Sequence, residues 1–218
     1  MADSAQNVTQ AAAPLYATPH VVRLQLTDFR SYESLHLNCD LAPVALSGEN
    51  GAGKTNILES ISMLGPGRGL RRAHFDDLAR KNGKGGWAVA AYIDMPPNMP
   101  AKVPVSANEN ANLNPNTSTD TPALVSDLTD DTIHIGVGMD ASMDKRRLRI
   151  NHAPAKGFNQ LTQYVPQLWL TPPMDRLFVD NASQRRQFFD RFTQALIIGH
   201  RKNCTKYEKA MRERNRLL

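Results

Sequence analysis

The stretch Ser47-Gly48-Glu49-Asn50-Gly51-Ala52-Gly53-Lys54-Thr55-Asn56 constrains this chain more than any other. Gly48, Gly53, Lys54 and Thr55 fill every fixed position of the phosphate-binding loop G-x-x-x-x-G-K-[ST]. The spacing has a physical reason. Glycines let the backbone curl so that successive N–H groups point inward at phosphate oxygens. The lysine then reaches the β- and γ-phosphates, and the threonine hydroxyl takes a place on Mg²⁺. Pro43-Val44-Ala45-Leu46 reads as a short buried strand entering the loop. Ile57, Leu58, Ile61 and Leu64 recur at helical spacing after it, so a helix N-terminus faces the anion. The plainer alternative is a glycine-rich turn that merely joins strand to helix. Against it, lysine, hydroxyl and strand–loop–helix frame coincide, so a nucleotide-binding loop is expected.

Val22 to Thr27 alternates apolar and polar residues, Phe29-Arg30-Ser31-Tyr32 turns the chain, and Leu35-His36-Leu37 alternates again. Two antiparallel strands therefore precede the nucleotide strand, unlike a plain doubly wound sheet. Gly65-Pro66-Gly67-Arg68-Gly69-Leu70-Arg71-Arg72 stops the first helix and sets three arginines on a flexible segment. Such a segment suits contact with phosphate, of the nucleotide or of DNA; the alternative is a solvated linker. The pattern predicts a short helix over Ala73–Lys81 and strands over Trp87–Asp94, Thr132–Val137 and Arg146–Ile150, the last two joined by a hairpin turn. Residues 96–131, with Pro96, Pro97, Pro100, Pro104, Pro115 and Pro122 among Asn, Ser, Thr and Ala, read as an exposed, largely disordered insertion.

Leu168-Trp169-Leu170 reads as a short apolar strand closed by Thr171-Pro172-Pro173. A helix follows, capped by Asn181 or Ser183. Phe188, Phe189, Phe192, Ala195 and Leu196 form its apolar face, expected to be core, with Gln184, Arg185, Asp190, Arg191 and Gln194 opposite. The basic segment Arg201–Leu218 is helical, with Cys204, Tyr207, Met211 and Leu218 in one stripe. No glycine or proline stops it, which suggests a truncated chain.

With 218 residues there is room for one core, or one and a half domains. No run of about eighteen apolar residues exists, so no membrane span is expected. Residues 1–20 are small, polar and Ala-rich, without the pattern of a signal or transit peptide, and read as a disordered tail on a cytoplasmic protein. Cys39 and Cys204 give neither a zinc spacing nor a disulfide framework, so both read as packing residues in a reducing compartment. The net charge of +5 divides unevenly: residues 1–144 balance at −6 and residues 145–218 at +11. A basic half of this kind marks a nucleic-acid surface, or else solvated helix faces or a surface that meets an acidic domain.

These pieces together resemble the RecF family. The resemblance rests on Phe29-Arg30-Ser31-Tyr32, the loop from Gly48 to Asn56, Ile57-Leu58-Glu59-Ser60-Ile61 and Gly67-Arg68-Gly69-Leu70-Arg71. It continues through Leu148-Arg149-Ile150-Asn151, Leu170-Thr171-Pro172-Pro173-Met174-Asp175, Arg185-Arg186-Gln187-Phe188-Phe189-Asp190 and the closing run from Tyr207 to Leu218. The family implies an α/β fold: a P-loop NTPase of ABC-ATPase head type, with a mixed sheet and an antiparallel β subdomain. Residues 1–20 would be the tail, 21–200 the ATP-binding lobe, and 201–218 the start of a helix leading into a C-terminal lobe.

The resemblance further implies ATP and Mg²⁺ as cofactors. Gly48 and Glu49 would bind the nucleotide, Asn50, Gly51, Ala52, Gly53, Lys54, Thr55 and Asn56 would cradle the phosphates, Thr55 would hold the metal, and Arg30, Ser31 and Tyr32 would lie near adenine or ribose. DNA contacts are expected at Arg68, Arg71, Arg72, Arg185 and Arg186. Implied partners are single-/double-strand junctions of DNA, RecO and RecR, in loading RecA, and a second subunit in an ATP-dependent homodimer. A signature segment and a second acidic motif ending a hydrophobic strand are not found in this sequence, so the chain reads as an N-terminal lobe with negligible hydrolysis. Gln167, in the region of the glutamine loop, stays unassigned. Two rivals remain open: another SMC/Rad50/RecN-like head, and a P-loop small-molecule kinase with Arg146, Arg147 and Arg149 as lid.

Overall fold

Period-two alternation along the strand segments turns one face of each to the same side, which is what a sheet covered on one face requires. A computed structural model describes residues 18–96, 132–142, 145–155, 157–179, 182–197 and 199–217. Its strands are β1 (His20–Phe29), β2 (Tyr32–Asn38), β3 (Trp87–Asp94), β4 (Thr132–Met139), β5 (Arg147–Ile150) and β6 (Ala153–Pro154). They form one six-stranded sheet in the order β2-β1-β3-β4-β5-β6, and every pairing is antiparallel. The register lines up apolar rows. Leu26 lies beside Val89, Val89 beside Val137, and Val137 beside Leu148, with Leu24, Ala91, Ile135 and Ile150 in the next row. All eight are buried, whereas Gln25, Ala90, Gly136 and Arg149, between the rows, are not.

The helices are α1 (Lys54–Met63), α2 (Leu161–Tyr164), α3 (Ala182–Leu196) and α4 (His200–Leu217). Ile57, Met63 and Leu64 from α1 and its end join the sheet's apolar face in one core, together with Phe29, Leu78, Leu161 and Tyr164. The antiparallel subdomain and the helix after the phosphate loop are thus as expected.

Several local expectations are corrected. Pro43–Leu46 and Leu168–Leu170 are not strands, because no strand among the described residues runs beside either to complete a ladder. Val44 and Leu170 are exposed accordingly. Ala73–Lys81 holds only the 3₁₀ turn Asp76–Leu78, because the backbone on either side is drawn to the β1–β2 turn: Arg30 N–H bonds Leu78 O and Arg80 N–H bonds Asp28 O, each at 2.7 Å. The aromatic face of α3 is not core. Phe189 is 52% and Phe192 42% exposed, although α4 packs against that helix. Ser183 lies inside α3, while Asn181, Leu218, residues 97–131 of the insertion and residues 1–17 of the tail fall outside the described residues; His20, expected in the tail, begins β1.

One buried ion pair network fixes α1 to the loops around it. Glu59 is fully buried, and Arg30 meets it with both arms of the guanidinium: Nε to Oε2 at 2.9 Å and Nη2 to Oε1 at 2.8 Å. Arg71 Nη1 donates to Oε2 at 3.0 Å. A carboxylate can be buried here because planar, bidentate donors satisfy its lone pairs. At the other end of α1, Arg146 Nη1 donates to the carbonyls of Met63 (3.2 Å) and Gly65 (3.4 Å) and its guanidinium carbon sits 3.7 Å from the Phe158 ring centroid. Burial pushes Arg146 down to about 10, which leaves it charged at neutral pH to face the helix's carbonyl end.

Two measurements follow from this packing. Glu59→Gln leaves two guanidinium groups against a neutral amide and should cost about 3–5 kcal/mol in urea unfolding, part of it recovered in Arg30→Met/Glu59→Met. The second concerns His134, whose ring is stacked on His152 with centroids 4.4 Å apart and whose Nδ1 is buried without a partner among the described residues. Burial, then the neighbouring His152, pushes His134 down from 6.5 to about 4. The unfolded chain therefore binds the proton first, so stability present above pH 6.5 is lost as pH falls toward 4. His134→Phe should flatten that part of the urea-midpoint profile.

Candidate nucleotide-binding site

The phosphate loop keeps its shape through glycine geometry and through the turn beside it. Gly51 and Gly53 have φ of +89° and +94°. At Gly53 a Cβ would lie 2.5 Å from Tyr32 Oη and 3.1 Å from Ser31 Oγ, so glycine is required there both by conformation and by space. α1 begins directly afterwards at Lys54, and no side chain caps its N-terminus. Its first N–H groups are thus left for an anion. Lys54 Nζ donates to the carbonyls of Gly48 (2.6 Å) and Glu49 (2.7 Å), holding the ammonium against the loop itself. Glu49, Asn50, Gly51, Ala52 and Thr55 are exposed. These residues fit a nucleoside polyphosphate and its metal: donors converge, one mobile cation stands beside them, and a hydroxyl is open to solvent.

Arg30, Ser31, Asn56 and Arg71 are brought together. Asn56 Nδ2 donates to Ser31 Oγ at 2.9 Å, Asn56 Oδ1 accepts from Arg71 Nη1 at 3.0 Å, and Tyr32 Oη donates to Ala52 O at 3.3 Å. The β1–β2 turn therefore braces the loop, and Arg30 does so through Glu59 rather than with a free guanidinium. Sequence reasoning assigned no role to Glu59, and it did not foresee Tyr32 bracing the loop or Arg146 at the end of α1. For Glu59 a signal existed: a carboxylate flanked by Ser60 on the buried side of an amphipathic helix needs a cationic partner.

The other expected arginines do not form one patch. Arg68 and Arg72 line a cleft of about 650 Å³ with Arg191 and Arg201. Arg72 Nη2 donates to Gln187 Oε1 at 2.8 Å, tying the Gly/Arg loop to α3, and Arg68 makes no hydrogen bond or ion pair among the described residues. Arg191 stacks 4.8 Å from the Trp169 ring centroid; burial, then the Arg72 charge, holds its pKa down. Arg186 lines a separate cleft with Asp190. Arg146, weighed as part of a kinase lid, is fixed to the end of α1, and Arg147 pairs with Asp140 at 3.3 Å. Gln167 Nε2 donates to Ile61 O at 3.1 Å, so it braces the C-terminal turn of α1.

Comparison with known proteins bears on these observations. No family model matches the chain. A DNA replication and repair protein RecF of Rhizobium rhizogenes is 40% identical over 205 residues, 92% of this chain and 46% of its own length. The RecF protein of Mesorhizobium japonicum is 41% identical over 206 residues, 93% of this chain and 45% of its own length. The chain thus spans about half the length of the curated relatives it matches. Among solved structures, the recombination mediator protein RecF of the RecFOR pathway, as RecF-ATPrS, aligns with a TM-score of 0.67 at 16% identity, over 92% of this chain and 45% of that one. The Smc head domain derived from Pyrococcus yayanosii aligns at 0.53 and 18% identity, over 90% of this chain and 35% of that one. The fold is accordingly that of an ABC-ATPase head lobe. Motifs, fold and identity agree, and this chain is related over nine-tenths of its length to the RecF DNA replication and repair proteins, whose N-terminal part it matches.

Proposed function

We propose that the chain binds ATP with Mg²⁺ at the loop Gly48–Asn56, as the phosphate-binding half of a RecF-type recombinational repair ATPase. The observation that carries this reading is the uncapped N-terminus of α1 behind a loop of left-handed glycines, with Lys54 poised on that loop's carbonyls. A related RecF has been solved as RecF-ATP. In this reading the loop N–H groups and those of Lys54 and Thr55 take phosphate oxygens, and Lys54 exchanges its two carbonyls for the terminal phosphates. The Thr55 hydroxyl faces Mg²⁺, which neutralises phosphate charge. Ser31 and the rest of the β1–β2 turn border the nucleoside side of the loop, with Arg30 bracing that turn from Glu59.

The wider role follows the relatives. The complete protein acts in the cytoplasm as an ATP-dependent homodimer at single-strand gaps and junctions of DNA, and helps RecO and RecR to load RecA. Arg68, Arg71, Arg72, Arg185 and Arg186 are assigned to DNA. Of these Arg68 is the strongest, because no hydrogen bond or ion pair among the described residues holds it and it lies on the arginine-lined cleft.

Calorimetry with ATP–Mg²⁺ tests the loop. The chain should bind, Lys54→Ala should lose binding, and neither should turn nucleotide over; robust turnover by the chain alone would instead point to a self-contained, kinase-like site. DNA binding is tested by fluorescence anisotropy on a gapped duplex. Affinity should fall linearly on a log–log plot against salt, and Arg68→Ala should reduce the slope by about one phosphate contact. An affinity indifferent to salt overturns the assignment of these arginines.

A further inference from the structure

The hairpin of α3 and α4 gathers three metal-ligating atoms of different chemistry. His200 Nε2 lies 3.2 Å from Asp190 Oδ1, Cys204 Sγ lies 3.2 Å from the same His200 nitrogen, and Sγ lies 3.5 Å from the same Asp190 oxygen. His200 and Cys204 are four residues apart on α4 and share a face, while Asp190 comes from α3 across the turn. The sequence hid this group because the two cysteines by themselves have no zinc spacing.

The convergence separates two readings of the trio. A Cys–His–Asp nucleophilic triad needs the thiol on one ring nitrogen and the carboxylate on the other. Here both face Nε2, so no relay can run through the ring. What the triangle does match is one face of a coordination tetrahedron: bonds of about 2.0–2.3 Å to N, O and S set ligand atoms about 3.3–3.6 Å apart.

We propose that Asp190, His200 and Cys204 form a site for a divalent transition metal, Zn²⁺ foremost, that clamps α3 to α4. A mixed S, N, O donor set selects a borderline ion of this kind over Mg²⁺ or Ca²⁺, which take oxygen ligands. Thiolate and carboxylate together neutralise the dication, so the loaded site adds no net charge beside Arg186 on the same cleft. Glu208, one helical turn beyond Cys204, lines the same cleft, and water would take the fourth position of the tetrahedron. The metal would join two helices that otherwise bury no residue in the core. It is independent of the phosphate loop, and no part of it rests on nucleotide or DNA binding.

Co²⁺ titration of the whole chain, read by absorption, provides the test, with Zn²⁺ added in competition. One equivalent of Co²⁺ should bind with a thiolate-to-cobalt charge-transfer band that Zn²⁺ displaces. Cys204→Ser should remove the band, and Asp190→Asn should weaken binding by more than about tenfold. Cys39→Ser should leave both unchanged, and circular dichroism of each variant checks that the helices persist. Zn²⁺ should also raise the melting temperature of the native chain but not of Cys204→Ser. Absence of stoichiometric binding to the native chain overturns the proposal, as does a charge-transfer band that survives in Cys204→Ser or vanishes in Cys39→Ser.

Discussion

The buried carboxylate of Glu59 is the constraint on which the site's geometry depends. A carboxylate in a core is tolerated only while its oxygens are fully bonded. That requirement reaches outward in two directions, to Arg30 on the β1–β2 turn and to Arg71 on the Gly/Arg loop. Ser31 and Tyr32, which touch Asn56 and the loop carbonyl of Ala52, are carried by the same turn as Arg30. The strand hairpin ahead of the phosphate loop and the arginine segment behind α1 are thus coupled through one side chain. Ser62 adds a neutral strut, accepting from Leu70 N–H at 2.7 Å.

What was legible in the sequence follows from what is local. The phosphate loop is a run of consecutive residues whose chemistry is set by spacing, and β1, β3, β4 and β5 announce themselves by alternation against a core that is present. The misreadings share one cause. Pro43–Leu46, Leu168–Leu170 and the aromatic stripe of α3 are apolar enough for an interior, yet burial is a property of neighbours, and the chain spans about half the length of its relatives. Composition announces that a segment is fit to be covered, not what covers it. The partners of Glu59 and the Asp190–His200–Cys204 trio were illegible for a different reason: each pairs residues from separate elements, and the distances arise only when the elements pack.

Arginine has three distinct roles in this chain. Arg30 is a structural donor satisfied on both arms, Arg146 caps the carbonyl end of α1 between Phe75 and Phe158, and Arg68 and Arg72 border an open cleft. A count of positive charge cannot separate these, although only the last kind contributes a field that a polyanion feels. The net charge therefore overstates the electrostatic surface near the loop. The +11 of the second half is carried largely on α3 and α4 and their approaches.

Lys54 bears on selectivity. Because its ammonium already holds two backbone carbonyls, a ligand meets a lysine that must change partners rather than gain its first ones. The net gain is the difference between a charge-assisted bond to phosphate and two bonds to neutral carbonyls. On the proposed ATP-binding reading, a ligand whose phosphates did not reach the ammonium would leave that exchange unmade and bind through the remaining contacts alone. The resting loop would then act as a threshold on anionic charge density, set by the length of the phosphate chain.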